Sequence, residues 1–209
     1  MMSAREALAS LREGNSRFVA DSQGLNPHTN QTRRRELVAG QEPLAIILGC
    51  SDSRVPAEII FDQGLGDLFV IRVAGNIVAA SQVGSIEFAA ERFGTRLVVV
   101  LGHSRCGAVL ATLEELGRPT ASRSLNLRSI VDRIRPAVET LIETDLRQNP
   151  NLLMRYAVRA NIRASANHLR HGSPFLEDLI QQDKLLVVGA EYSLETGVVD
   201  FFDGLPEGS

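Results

Sequence analysis

Leu97-Val98-Val99-Val100-Leu101, followed at once by Gly102-His103-Ser104-Arg105-Cys106-Gly107, decides how this chain folds. Five consecutive apolar residues, three of them β-branched, make a short strand that is apolar on both faces. That is the pattern of a parallel sheet covered by helices on each side. The chemistry-bearing residues come directly after it. A second run has the same form: Leu44-Ala45-Ile46-Ile47-Leu48 leads through Gly49 into Cys50-Ser51-Asp52-Ser53-Arg54. The chain has two cysteines, and each stands just past the carboxyl end of such a run.

Outward from these runs the pattern alternates. A strand at 44–49 precedes a short helix near 56–61, a strand at 68–72 precedes a helix near 80–93, and the strand at 97–101 precedes a helix over about 106–116. Alternation of this kind predicts an α/β fold, with a central, mostly parallel β-sheet of four to five strands flanked by helices. Leu125, Leu127, Ile130, Val131, Ile134, Val138, Leu141 and Ile142 keep helical spacing over 124–148, where Pro136 is placed to kink or split the helix. A helix over 151–170 and a short one over 175–182 follow. A strand at 184–190 and an extended segment at 196–201 close the sheet as a terminal hairpin, turned at Glu195-Thr196-Gly197. The tail after Asp203 is expected to be loose.

At the other end, residues 1–20 read as an amphipathic helix. Residues 21–43, with Gly24, Asn26, Pro27 and Pro43, read as an extended arm suited to wrapping a partner subunit. The expected organisation is one domain over 1–209, made of an N-terminal helical arm at 1–43 and an α/β core at 44–203.

At 209 residues the chain is long enough to bury a sizeable core, and 44% hydrophobic with 22% charged residues is the balance of a soluble globular protein. The net charge of −3 and the absence of a basic stripe argue against a nucleic-acid partner; Arg33-Arg34-Arg35 reads as a solvated face. No run of about 18 apolar residues is present, so no membrane partner is expected. The first residues lack the features of a secretory signal. The expected location is cytoplasmic, with both thiols reduced.

Cys50, His103 and Cys106 are the donors that zinc favours in tetrahedral geometry. The His-x-x-Cys spacing lets two ligands reach one ion from a single turn after a strand. Cys50 arrives from another strand, 52 intervening residues away. Neighbouring strands of an open parallel sheet bring their carboxyl ends together, which is where such folds place their sites. Three protein ligands leave a fourth position for water, a catalytic arrangement more than a structural one. The alternative for each cysteine is a small core hydrophobe. Asp52 can either ligate the ion or accept a hydrogen bond from water. Arg54 can clamp it through a bidentate pair, keeping it ionised and off the metal.

The pair of motifs resembles the signature of the β-class carbonic anhydrases, and the similarity covers nearly the whole chain. The resemblance implies one zinc per subunit, bound by Cys50, His103 and Cys106. It implies Asp52 and Arg54 as the catalytic dyad, with Asp52 on the metal only in a closed state. The activity implied is reversible hydration of carbon dioxide to bicarbonate. By the same resemblance Gln41 hydrogen-bonds the substrate, Phe69 forms an apolar wall, and Phe88 stands where many members have tyrosine. Gly107, at the start of a helix, can offer its N–H to a substrate oxygen. In this family the glutamine and the aromatics come from the partner subunit, so a homodimer, or a dimer of dimers, is implied. Arg72 and Tyr192 match two residues of an inhibitory bicarbonate site found in some members; the third is Ile47 here, not tryptophan. His28, His168 and His171 are the histidines available as a proton shuttle, and each reads as a surface residue. A carbon disulfide or carbonyl sulfide hydrolase would carry the same ligands. A non-catalytic, zinc-stabilised oligomer would be expected to lose Asp52 or Arg54, and a thiol redox protein would need Cys-x-x-Cys.

Overall fold

The structure is a computed structural model describing residues 2–22, 31–117 and 124–206. At its centre runs β3 (Leu97–His103), buried at every position. On one side of it lie β1 (Ala45–Gly49) and then β2 (Leu68–Arg72); on the other lie β4 (Leu186–Tyr192) and then β5 (Val199–Asp203). The first four strands are parallel, with Ile46 opposite Val98, Leu48 opposite Val100 and His103 opposite Tyr192, and β5 runs antiparallel to β4. The mostly parallel α/β sheet expected from the alternation is the sheet observed.

Alternate residues of each strand feed opposite cores, which explains the unbroken apolar runs. Ile46, Leu48, Val98 and Val100 pack with residues of α4 (Ala80–Phe93), α5 (Gly107–Gly117), α6 (Leu125–Val138) and α7 (Pro150–His171). Ile47, Val99, Leu101 and Val188 pack on the other face with Leu8 and Leu11 of α1 (Ala4–Val19) and with Ile60 of α3 (Ala57–Ile60). A capping box starts α1: the Ser3 hydroxyl accepts from the Glu6 N–H, and the Glu6 carboxylate accepts from the Ser3 N–H.

Asn15 fastens α1 to the sheet. It is 6% exposed. Its side-chain amide donates to the carbonyls of Ile60 at 3.2 Å and Gly197 at 2.8 Å, and its oxygen accepts from the Val199 N–H at 2.8 Å. Asn15→Ala strands these buried backbone groups and is expected to cost about 2–3 kcal/mol. A lowered urea midpoint at unchanged slope is the readout; an unchanged midpoint would mean that the helix is held by its apolar face alone.

Several boundaries differ from the sequence reading. β3 runs two residues past Leu101, through Gly102 to His103. β4 starts at Leu186 rather than 184, because Lys184 is still engaged in closing α8 (Pro174–Gln181): its N–H bonds the Leu179 carbonyl, with Asp183 at φ +56. The hairpin is present, but β5 begins at Val199, since Gly197 at φ +76 and the Ser193–Val198 hydrogen bond occupy the turn. Pro136 does not split α6; it sits in the last turn, and 3-10 turns follow at Glu139–Glu143 and Asp145–Gln148. Part of the expected arm is helical, as α2 (Gln31–Glu36) and a 3-10 turn at Leu37–Ala39. Residues 23–30 of that arm, His28 among them, lie outside the described residues. Of the expected loose tail, Gly204 is exposed at φ +68 with the Val187 carbonyl close by, 205–206 are half-buried, and 207–209 lie outside the described residues. No helix among the described residues is long and apolar enough to cross a membrane.

The chain leaves β1 for β2 on one side and returns to β3 on the other. The strand order therefore reverses between the carboxyl ends of β1 and β3, and open α/β sheets bind ligands at such a crevice.

Candidate metal centre

Cys50 directly follows β1, and His103 is the last residue of β3. The spacing places His103 in a turn after the strand; it is held in the strand itself, paired with Tyr192 of β4. Arg105, at φ +55, reverses the chain, so that Cys106 arrives immediately before α5. The ligand atoms of Cys50, His103 and Cys106 all lie within 4.8 Å of one another. The three residues are buried, and both cysteines are free thiols.

The histidine is prepared for one role. Its Nδ1 lies 2.9 Å from the Ser104 carbonyl, which can only accept, so Nδ1 carries the hydrogen and Nε2 presents a bare lone pair. Ser104 is itself fixed, donating its N–H to the Tyr192 carbonyl and accepting at Oγ from the Leu194 N–H. His103 Nε2 is buried and has no hydrogen-bond partner. Such an orphan costs about 1–3 kcal/mol unless something binds it.

The thiols favour a cation as well. The neighbouring Cys106 thiol, first, and the Gly75 N–H lower the Cys50 pKa against the opposing effect of burial. The same contact, burial and the Cys50 charge push Cys106 upward. The two sulfurs and the imidazole nitrogen lie within 4.8 Å of one another, and a positive ion among them would offset the repulsion of two thiolates. A bare imidazole nitrogen beside two such sulfurs fits a metal ion.

Asp52 stands at the rim of this group. Its Oδ1 accepts from Arg54 Nε at 2.9 Å and from the Arg54 backbone N–H at 3.0 Å, and its Oδ2 accepts from Arg54 Nη2 at 2.7 Å. These bonds hold the carboxyl well below the usual carboxylate range, against a smaller opposing effect of burial. Oδ2 lies 3.8 Å from His103 Nε2. From β2, Arg72 fastens the loop backbone, donating Nε to the Cys50 carbonyl at 3.0 Å and Nη2 to the Asp52 carbonyl at 2.5 Å.

A family model described as carbonic anhydrase matches residues 45–199, from β1 to the start of β5. The chain belongs to the β-carbonic anhydrase family. It is 39% identical over 193 residues to carbonic anhydrase 2 of Mycobacterium tuberculosis, across 91% of this chain and 89% of that one. It is 47% identical over 132 residues to a carbonic anhydrase of Mycolicibacterium smegmatis, across 63% of each chain. The solved structure of the β-carbonic anhydrase CcaA matches with a TM-score of 0.75 at 27% identity, covering 94% of this chain and 95% of that one. The protein is an enzyme of the carbonate dehydratase type.

Other residues singled out in the sequence are distributed over this carbonic anhydrase in a revealing way. Gly107 opens α5 right after Cys106, with open space where a side chain would be. Gln41, Phe69 and Phe88 lie on other parts of the fold. Gln41 is exposed just ahead of β1, in a cavity with Phe93, Thr95 and Arg96, at the amino end of the sheet. Phe69 lies on the edge strand β2 and forms an aromatic cluster with Phe88 and Phe93 of α4, with centroid separations of 6.4, 6.0 and 5.6 Å. Phe88 is 52% exposed. Ile47 is buried in the core under α1, and the partly shielded Tyr192 phenol is raised by burial. His168 and His171 are exposed on α7, away from the ligands.

The sequence reading missed the backbone and side-chain groups that support the ligands. The Ser104 carbonyl on His103, the Arg72 clamp and the Gly75 N–H donating to Cys50 Sγ at 3.3 Å are all such groups. Gly75-Asn76 after a strand is a turn signal, but its target is visible only in three dimensions.

Proposed function

We propose that this carbonic anhydrase carries out the zinc-dependent, reversible hydration of carbon dioxide to bicarbonate and a proton. Cys50, His103 and Cys106 hold the ion, and Asp52 and Arg54 form the catalytic dyad. The observation that carries this reading is the bare, buried His103 Nε2, aimed among two sulfurs and beside a carboxylate committed to an arginine. A Cys2His donor set suits zinc and leaves one of four tetrahedral positions open. When bound there, zinc supplies the Lewis acidity that makes water a nucleophile at neutral pH.

The protein's own residues do the rest. Asp52, kept ionised by Arg54, is acceptor-only, so it can take a hydrogen bond from the attacking water and aim the remaining lone pair at the substrate carbon. Arg54 occupies both carboxylate oxygens, which keeps Asp52 out of the ligand set and supports an open fourth position. The Gly107 N–H, at the start of an 11-residue helix, faces the charge that develops on a substrate oxygen. A non-catalytic zinc site needs neither an oriented carboxylate nor its clamp.

Carbon dioxide also needs an apolar wall, and the family resemblance implies Gln41, Phe69 and Phe88 for the substrate pocket. In this reading each subunit lends them to its neighbour, in a homodimer or a dimer of dimers. The exposed Phe88 on the β2–α4 edge supports that interface. Phe88→Glu puts a charge into the contact and is expected to raise the dimer dissociation constant about 30-fold or more, with activity falling in step. Sedimentation and rate measurements check this; a fully dimeric, fully active variant would place the interface elsewhere.

The function itself is tested by metal analysis together with turnover of carbon dioxide, carbonyl sulfide and carbon disulfide side by side. One zinc per subunit and preferred hydration of carbon dioxide support the reading. Preferred hydrolysis of either sulfur compound would reassign the same site.

A further inference from the structure

After β2 the chain makes a tight turn at Ala74–Asn76, with Gly75 at φ +70 and Asn76 at φ +44. A non-glycine residue in the left-handed region is uncommon, though asparagine tolerates it best. The turn is tied to β1 through Val73, whose N–H bonds the Gly49 carbonyl, and the Asn76 N–H in turn bonds Val73. In this conformation Gly75 faces two ways. Its N–H donates to Cys50 Sγ at 3.3 Å. Its carbonyl accepts from Asn161 Nδ2 at 2.8 Å, a residue 86 positions away in the middle of α7.

Asn161 is out of place by composition. It is 2% exposed, and its helix neighbours Ala157, Val158, Ile162 and Ala166 are core residues. A buried amide in such surroundings costs stability unless it is hydrogen-bonded, and an apolar residue would pack there without that cost. Its side-chain amide bonds Gly75, whose own N–H donates to the Cys50 sulfur. Gly75 cannot shift freely to keep that contact, since even a Cβ there would stand 2.8 Å from Ile134 Cδ1 and 3.0 Å from Ala108 Cβ.

We propose that Asn161 is a positioning residue of the metal centre: by holding the Gly75 carbonyl it fixes the Gly75 N–H on Cys50 Sγ. This rests on the reading that the three ligands bind a metal ion. An N–H held on a coordinating sulfur fixes its direction and draws off part of its negative charge, so losing it alters both affinity and the electronic character of the metal–sulfur bond. Groups that support ligands in this way are worth about 10–100-fold in metal affinity.

The test compares wild type, Asn161→Ala, Asn161→Leu and Leu169→Ala, each stripped of metal and titrated with cobalt(II) against a competing chelator. Leu keeps the branched outline of Asn at a somewhat larger volume and removes its amide group, so it serves where Ala fails to fold. Leu169 is fully buried on the same helix and controls for lost stability. Both Asn161 variants are expected to bind cobalt about 10–100-fold more weakly, with a shifted thiolate-to-cobalt absorption band. Leu169→Ala is expected to melt earlier yet keep the wild-type affinity and band. Asn161 variants with wild-type affinity and spectrum overturn the proposal, as does equal weakening in Leu169→Ala. Wild-type protein that takes up no cobalt overturns the metal reading itself, and this inference with it.

Discussion

Cys106→Ser protein is expected to purify almost free of zinc and to lose hydration activity by at least about 10³-fold. Cys106 is 1% exposed and its sulfur lies within 4.8 Å of the Cys50 sulfur and a His103 ring nitrogen, so it has no role available at the surface. A serine hydroxyl is a harder donor and keeps its proton at neutral pH, so the remaining donors are Cys50 and His103. Two ligands do not retain zinc against solvent, and His103 Nε2 is returned to being an orphan. Metal analysis and stopped-flow hydration on the same preparation check this. Zinc-replete Cys106→Ser protein with a near wild-type rate would mean that the ion is held elsewhere.

The second large effect separates binding from chemistry. Asp52→Asn is expected to keep its zinc and lose about 10²–10³-fold in hydration rate, the scale of removing one preorganised hydrogen-bonding partner from a reacting centre. The carboxylate accepts at both oxygens from Arg54, and an amide cannot. Its Nδ2 would donate where the reaction needs an acceptor, so the attacking water is no longer aimed. Arg54 would also keep one acceptor in place of two. A fully active, zinc-loaded Asp52→Asn enzyme would assign Asp52 to loop structure alone. Parallel loss of zinc and activity would instead make it a ligand.

Both effects depend on residues whose convergence is legible in the sequence. Cys50 and Cys106 each follow a buried run, and parallel strands on either side of a reversal bring such positions together. β1, β2 and β3 were legible because each contains a short apolar run, and β4 with β5 because an apolar run and an extended segment flank the turn glycine Gly197. What stayed hidden has physical reasons. β3 continues through Gly102-His103 because Ile162 of α7 packs over Gly102, a long-range contact that no local pattern records. Helix α2 has no buried residue, so it offers no apolar stripe to detect. The Asn161–Gly75 bond joins residues 86 positions apart, and sequence spacing carries no trace of it. Gln41, Phe69 and Phe88 could be matched one by one, but only the fold shows that Gln41 stands beside Phe93 ahead of β1 and that Phe69 and Phe88 share an aromatic cluster.

The central claim is that these ligands and this dyad make a carbon dioxide hydration site. Its most direct test is stopped-flow hydration by wild-type protein at graded zinc occupancy, from about pH 7 to about pH 9. The account predicts catalysed hydration that rises in proportion to bound zinc and vanishes in the metal-free protein. Fully zinc-loaded protein that does not accelerate hydration anywhere in that range would contradict it.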